Sequence, residues 1–123
     1  MRRDPDLIRK LLFHFEEKPG YEAERCPAIE GYGELDIKYH MLLLAQAGFL
    51  DHQPEWTTTR DRIIRVLGFG LTWDGHEFLE AARSDTLWER AKALMAEKGG
   101  GASFEVMLAL LIELTKRHVL GDN

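Results

Sequence analysis

The stretch from Asp36 to Leu50 constrains the fold more than any other part of the sequence. Its apolar spacing predicts a helix as far as Gly48, and Phe49-Leu50 then begins an extended segment. The helical period gives this helix a core-facing side, made of Ile37, Met41, Leu44, Ala45 and Gly48. Gly48 also supplies the backbone turn that ends such a helix. His40 lies at the edge of the core face, where we expect a packed, hydrogen-bonded residue and no metal ligand.

The segment before this helix begins with another predicted helix. Asp4-Pro5 is a strong start, because aspartate caps the first turn and proline suits the first helical position. Its apolar face consists of Leu7, Ile8, Leu11, Leu12 and Phe15. Pro19-Gly20 ends it. Between Tyr21 and Gly33, proline and glycine interrupt every helical pattern, and Ala28-Ile29 is expected to form a short strand.

A β-hairpin is predicted after Gly48. Phe49-Leu50 starts a strand that runs toward Trp56, and the polar residues 57–61 form the turn. Arg62 to Leu67 is rich enough in β-branched and apolar residues to be the return strand. Gly68-Phe69-Gly70 is expected to carry a bulge or bend before the next helix.

Two further amphipathic helices follow the hairpin. Thr72 is a natural N-cap for a helix that reaches about Arg83. The next helix spans roughly Thr86 to Lys98, where Thr86 and Glu89 have the spacing of a capping box. Its apolar face consists of Leu87, Trp88, Ala91, Leu94 and Met95.

The last predicted helix runs from the cap Ser103 to about His118, and apolar side chains cover most of its circumference. They are Phe104, Val106, Met107, Leu108, Leu110, Leu111, Ile112 and Leu114. A helix of this kind is buried on more than one side. Two interpretations remain open: a core helix enclosed within the monomer, or a helix that partly meets another subunit.

Length and composition fit one soluble globular domain. A chain of 123 residues, 45% of them hydrophobic and 30% charged, can bury a single core. We expect one domain over residues 1–123, with a core at 1–83 and a helical extension at 84–123. The net charge of -5 does not favour polyanions. The lone Cys26 cannot form an internal disulfide, no signal peptide is visible, and the apolar runs are shorter than the ~20 residues of a membrane span. We therefore expect a cytoplasmic protein with no membrane partner.

Several motifs resemble winged-helix proteins. Residues 37–44 with Ala47-Gly48-Phe49-Leu50 resemble the recognition helix and the start of the wing in small bacterial repressors, and Leu71-Thr72 with Gly75 resembles the end of the wing. A broader resemblance is to the bacterial and phage family called domain of unknown function 2513. Its motifs are Arg3-Asp4 with residues 6–10, Tyr39-His40 with Ala47-Gly48, residues 71–79, and Asp85-Thr86 with Trp88.

This resemblance implies an α+β, mostly helical fold: a winged helix-turn-helix-like domain with a two-stranded β-wing and C-terminal helices. It implies no activity.

The outward face of the central helix argues against DNA reading. It presents Leu35, Tyr39, Leu42, Leu43 and Gln46, with Lys38 on the flank. Leucines cannot make the bidentate contacts that give most base discrimination, and exposed leucines favour a covering surface. That surface could be the C-terminal helices of the same chain, a second subunit or a protein partner. We therefore predict a non-enzymatic module that binds a protein partner or a second copy of itself. The candidate interface residues are Tyr39, Leu42, Leu43, Gln46, Leu108 and Ile112.

The alternative is a DNA-binding regulator of bacterial or phage type. Arginines on or beside the hairpin would hold phosphates, and polar residues of the central helix would reach base edges. The candidate contacts are Lys38, Tyr39, Gln46, Arg60, Arg62 and Arg65.

Chemistry-bearing motifs are absent from the sequence. The five histidines form no HExxH pattern, and no phosphate loop or cysteine cluster occurs. We predict no catalytic residues, no cofactor, no metal site and no small-molecule ligand. Trp73, Trp88 and Tyr32 are expected to be core or helix-docking residues.

Overall fold

The computed structural model describes residues 2–60, 62–97 and 104–119. These residues form five helices and one two-stranded antiparallel sheet, which confirms an α+β, mostly helical fold. In chain order the elements are α1 (Pro5–Glu17), α2 (Glu34–Gln46), β1 (Leu50–Trp56), β2 (Ile63–Leu71), α3 (Trp73–Ala82), α4 (Asp85–Glu97) and α5 (Phe104–Val119). The chain divides into two compact units, Met1–Glu77 and Phe78–Asn123. That residues 1–123 form one domain stays a prediction.

Helix α1 begins as the sequence predicts. The Asp4 carboxylate accepts hydrogen bonds from the backbone N–H of Asp6 at 2.9 Å and of Leu7 at 3.3 Å, and Pro5 takes the first helical position. The five residues of the predicted apolar face are all buried. Helix α1 is therefore a core helix of the first unit.

The predicted strand at Ala28-Ile29 is wrong, because extended pairing in this segment occurs earlier, at Glu24. The backbone of Glu24 exchanges two hydrogen bonds of 2.8 Å with Gly68 of β2. This pairing stops after one residue, and Pro27, which has no N–H group, limits any continuation. Residues 18–33 contain no helix, as expected from their glycines and prolines.

Helix α2 buries most of its predicted core face. Ile37, Met41, Leu44 and Ala45 are buried, whereas Gly48 is exposed, so its assignment to the core face was wrong. The helix ends at Gln46, and Gly48, with a φ of +80°, only turns the chain into β1.

His40 joins helices α1 and α2. It is only 1% exposed, and its Nε2 accepts the backbone N–H of Asp4 at 2.8 Å. Because Nε2 accepts, the proton lies on Nδ1, which donates to the backbone carbonyl of Asp36 at 2.7 Å. The prediction of a packed, hydrogen-bonded histidine is confirmed.

The hairpin contains the predicted bulge. His52 is opposite Gly68 and Asp51 is opposite Gly70, so Phe69 is the extra residue. Strand β2 begins after Arg62 and extends beyond the predicted end to Leu71. The glycines permit this extension because a Cβ atom at Gly68 would lie 2.8 Å from the Phe15 ring, and one at Gly70 would lie 3.1 Å from the Tyr21 ring.

In the second unit, α4 and α5 pack against each other. The predicted capping box of Thr86 and Glu89 is wrong. The Ser84 hydroxyl accepts the N–H of Leu87 at 3.2 Å, so the cap lies two residues earlier, and Glu89 instead pairs with Lys92 at 3.1 Å. Of the predicted face of α4, Trp88 and Ala91 are buried, while Leu87, Leu94 and Met95 are half-buried.

Among the described side chains of α5, those on one side of the helix are buried, whereas burial on more than one side was predicted. Met107, Leu111 and Leu114 are buried, but Val106 is 52% and Ile112 is 41% exposed. A single neighbouring helix covers only one face, which explains the difference. The predicted cap Ser103 and the side chains of Phe104 and His118 lie outside the described residues. In the described part of the chain, no helix is both long and apolar enough to cross a membrane.

Candidate interaction surface

The outward side of α2 carries a row of mainly apolar side chains. Leu35, Tyr39, Leu42 and Gln46 follow one another at helical spacing, opposite the buried face, and we call them the outer stripe of α2. Leu35 is 71% exposed and Gln46 is exposed, while Tyr39 and Leu42 are half-buried. Leu43, also half-buried, flanks the stripe. The predicted protein-interface residues of this helix thus lie together on an uncharged ridge that extends about 16 Å along the helix.

Lys38, on the other flank, is engaged within its own helix. Its Nζ lies 2.6 Å from Oε1 of Glu34, one turn earlier. The hydrogen bond and the positive charge of Lys38 lower the pKa of Glu34 from its ordinary value. The two charges compensate each other, so this flank has no net charge, and a phosphate contact of Lys38 stays a prediction.

The predicted wing arginines differ from one another. Arg65 donates from Nε to Oε2 of Glu55 at 3.0 Å, and Arg25 lies 3.6 Å from the other oxygen of the same carboxylate. Arg60 and Arg62 are exposed at the turn, where Arg60 N–H donates to the Thr57 carbonyl at 2.9 Å. Only these two arginines extend from the hairpin without a described carboxylate beside them.

The other two predicted interface residues, Leu108 and Ile112, belong to the second unit. They are one helical turn apart on α5, where Leu108 is half-buried and Ile112 is 41% exposed. Together they form a small, partly exposed apolar patch on α5.

The predicted place of Trp73 is also wrong. It was expected in a core or docking position, but it is 78% exposed at the start of α3, whereas Trp88 is buried and Tyr32 is half-buried. The helical period alone indicates this exposure. Phe78, Leu79 and Ala82 share one face of α3, which is buried, and Trp73 lies on the opposite face.

Among the described residues, no three or more His, Cys, Asp or Glu side chains are grouped so as to hold a metal ion. The Cys26 thiol is half-buried, and burial raises its pKa, with the Glu34 carboxylate adding to the effect. His14 Nε2 is 2.7 Å from Oε2 of Glu24, and the Nζ of Lys18 lies 3.7 Å from the other oxygen. These groups fasten residues 18–24 onto α1.

By its fold, the chain is a small, mostly helical α+β protein, and its second helix leads directly into a β-hairpin. The chain belongs to the family described as Hypothetical protein (DUF2513), whose model matches residues 2–101, so the family resemblance of the sequence is confirmed. It is similar to an uncharacterized protein of Haemophilus influenzae (strain Rd), with 30% identity over 108 residues, which cover 87% of this chain and 89% of the relative. No solved structure matches the chain significantly.

Proposed function

We propose that this protein is a non-enzymatic, winged-helix-like module that self-associates by pairing the outer stripe of α2 with the same stripe of a second copy. One observation carries the proposal. Helix α2 is apolar on its outward side as well as on its buried side, and Leu35 is 71% exposed there. An apolar stripe of this kind, left open on a folded chain, is typical of a surface that another protein covers.

The order of elements supports a winged-helix-like arrangement. Helix α2 ends at Gln46, and Gly48 turns the chain at once into the β1–β2 hairpin, as a recognition helix leads into a wing. Residues 18–33 supply no helix in front of α2, so the helix-turn-helix is incomplete. This departure favours a use other than sequence-specific reading of a DNA groove.

The stripe is self-complementary, which favours a second copy as its partner. In an antiparallel pair of α2 helices centred between His40 and Met41, Leu35 faces Gln46 of the second copy and Tyr39 faces Leu42 of the second copy. Each contact then occurs twice about a two-fold axis. Since the stripe is uncharged and Lys38 is compensated by Glu34, no like charges meet at the axis.

The expected dimer is weak. Two stripes of about 16 Å bury less than the roughly 1,200 Å² of a stable interface. We therefore expect a dissociation constant on the order of 10 μM, equivalent to about 7 kcal/mol.

Sedimentation of charge-insertion variants tests the proposal. We expect two variants to be monomeric at concentrations where the wild type is dimeric. One carries the double substitution Leu42→Glu and Leu43→Glu, and the other carries Leu35→Glu alone. Leu35→Glu is informative because this side chain contributes little to the core. Ile112→Glu, on the exposed side of α5, is the matched control. If folded Leu35→Glu keeps the mass of a dimer, the proposal is contradicted. If Ile112→Glu is the only variant that becomes monomeric, the interface lies on α5 instead.

Disulfide trapping tests the antiparallel geometry. In a Cys26→Ser background, chains with Tyr39→Cys are mixed with chains with Leu42→Cys and oxidised mildly. The antiparallel pair places these positions opposite each other, so the mixture is expected to form linked dimers that neither chain forms alone. Links within each separate sample would instead indicate a parallel pair.

A second candidate is a DNA-binding regulator, which the exposure of Arg60 and Arg62 at the turn favours. It would use these arginines on phosphates, with Tyr39 and Gln46 toward the groove. Binding to random duplex at about 50 mM salt is the measurement, with a log–log salt slope of about -0.9 per phosphate contact. No binding excludes this candidate. Binding that Arg60→Ala with Arg62→Ala leaves unchanged excludes the wing contact.

A further inference from the structure

Trp73 is a large aromatic side chain that the fold holds outward. It is 78% exposed, and the backbone on both sides of it is fixed. The Thr72 N–H donates to the Phe49 carbonyl at 3.0 Å, and the Thr72 hydroxyl donates to the Gly48 carbonyl at 2.5 Å. Gly75 lies so close to Phe49 that a Cβ atom would collide with the Phe49 carbonyl oxygen. The backbone of the first turn of α3 is therefore held in place, and it presents Trp73 on the outside.

Two exposed carboxylates accompany the indole. Asp74 is the next residue, and Glu77 lies one turn later on the same side of the helix as Trp73. A helical side chain leans toward the N-terminus, so the Glu77 carboxylate extends toward the indole. Within the described ranges, no ion pair engages Asp74 or Glu77. Other exposed carboxylates do have cations beside them: Glu34 with Lys38, Glu80, later on α3 itself, with Arg83, and Glu113 with Arg117.

We propose that Trp73 and Glu77 form a docking site for an arginine or lysine side chain of a basic protein segment. The face of an indole ring attracts cations, and the planar guanidinium of arginine stacks on it particularly well. The Glu77 carboxylate compensates the charge of the incoming group, and Asp74 adds attraction nearby. The net charge of -5 increases the local concentration of basic partners.

Charge distinguishes this site from the outer stripe of α2. Two copies brought together at Trp73 would place Asp74 and Glu77 against the same carboxylates, and like charges disfavour that contact. The outer stripe is uncharged and suits a second copy, whereas the Trp73 site suits a cationic partner. The two proposals therefore stand or fail separately.

Peptide binding tests the site. The probe is a hexa-arginine peptide, with hexaglutamate as the charge control, titrated calorimetrically into the full chain. We expect Trp73→Ala to weaken hexa-arginine binding by about 5- to 30-fold, since a partly desolvated cation–π contact has that strength. Glu77→Gln is expected to weaken it by about 3- to 10-fold. Both side chains are exposed, so thermal melting should show folded variants.

Matched controls separate a defined site from general attraction to an acidic protein. Trp56→Ala removes another exposed indole, 47% exposed, and Glu97→Gln removes another exposed carboxylate. Neither is expected to change binding. Equal losses from Glu77→Gln and Glu97→Gln, or an absence of hexa-arginine binding, would overturn the proposal. A Trp73→Ala chain that is monomeric at concentrations where the wild type is dimeric would also overturn it, since the indole would then belong to contacts between copies.

Discussion

Helices α1 and α2 have the same length but use their apolar residues differently. Each spans 13 residues. In α1 one apolar face is entirely buried, and Asp4 caps the first turn. In α2 the buried face is accompanied by the outer stripe, and the N-cap Gly33 offers no side-chain hydrogen bond. Folding therefore accounts for the apolar residues of α1, but it leaves the outward leucines of α2 unexplained.

The two helices nonetheless depend on each other at one point. The backbone N–H of Asp4, the N-cap of α1, donates a hydrogen bond to the buried His40 of α2. The buried side of α2 thus packs against α1 and the hairpin, whereas its outward side is partly exposed. This separation of roles leads to four measurable predictions.

The largest expected effects come from buried leucines. Leu11→Ala in α1 and Leu44→Ala in α2 are each expected to lower the free energy of unfolding by about 3 kcal/mol, because both side chains are fully buried and truncation leaves a cavity. Leu35→Ala, on the outer stripe, should change it by less than about 0.5 kcal/mol. Urea unfolding measures all three. A loss at Leu35 equal to that at Leu44 would mean that the stripe belongs to the core.

Removal of the hydrogen bond between α1 and α2 should have the next largest effect on the free energy of unfolding. His40→Ala is expected to cost about 2 kcal/mol, because it opens a cavity and leaves the Asp4 N–H without its acceptor. His76→Ala is the control, since His76 is exposed on α3 and its loss should have little effect. Similar unfolding midpoints for the two variants would contradict the role assigned to His40.

Much of the first unit was predictable because its signals are local. The Asp4-Pro5 start and the periodic leucines identify α1, and Thr72 caps α3 as expected, accepting the N–H of Gly75 at 3.1 Å. Gly48 and the glycines around Phe69 mark the turn and the bulge. Each of these features depends on residues within a few positions of one another, which is why the sequence alone indicates them.

The errors concern choices that distant contacts decide. Glu24 pairs with Gly68, 44 positions later, and a local strand preference at Ala28-Ile29 contains no trace of that pairing. Ser84 and Thr86 are both good caps, and the structure uses the first. The same holds for the candidate site. The period identified the members of the outer stripe, but the engagement of Arg65 by Glu55 depends on the pairing of two strands.

The contrast in helix caps predicts smaller effects. Asp4→Ala should lower the free energy of unfolding by about 1 kcal/mol. Gly33→Ser should raise it by a few tenths of a kcal/mol, because serine adds the missing cap and a Cβ at this position meets no atom within 4 Å. Thermal and urea unfolding measure both. A gain from Gly33→Ser as large as the loss from Asp4→Ala would show that α2 is limited by its cap.

The smallest effect concerns the charge beside the outer stripe. Lys38 lowers the pKa of Glu34, so this pair stabilises the fold above the ordinary titration range of glutamate, and the contribution is lost as the pH falls through the lowered pKa. Lys38→Met should raise the pKa of Glu34 toward its ordinary value and remove that part of the acid sensitivity. Carboxyl NMR titration measures it, with Lys92→Met, which removes the partner of Glu89 on α4, as the control. An unchanged Glu34 pKa would mean that Lys38 is free to meet a phosphate, which would favour DNA over a second copy at this face.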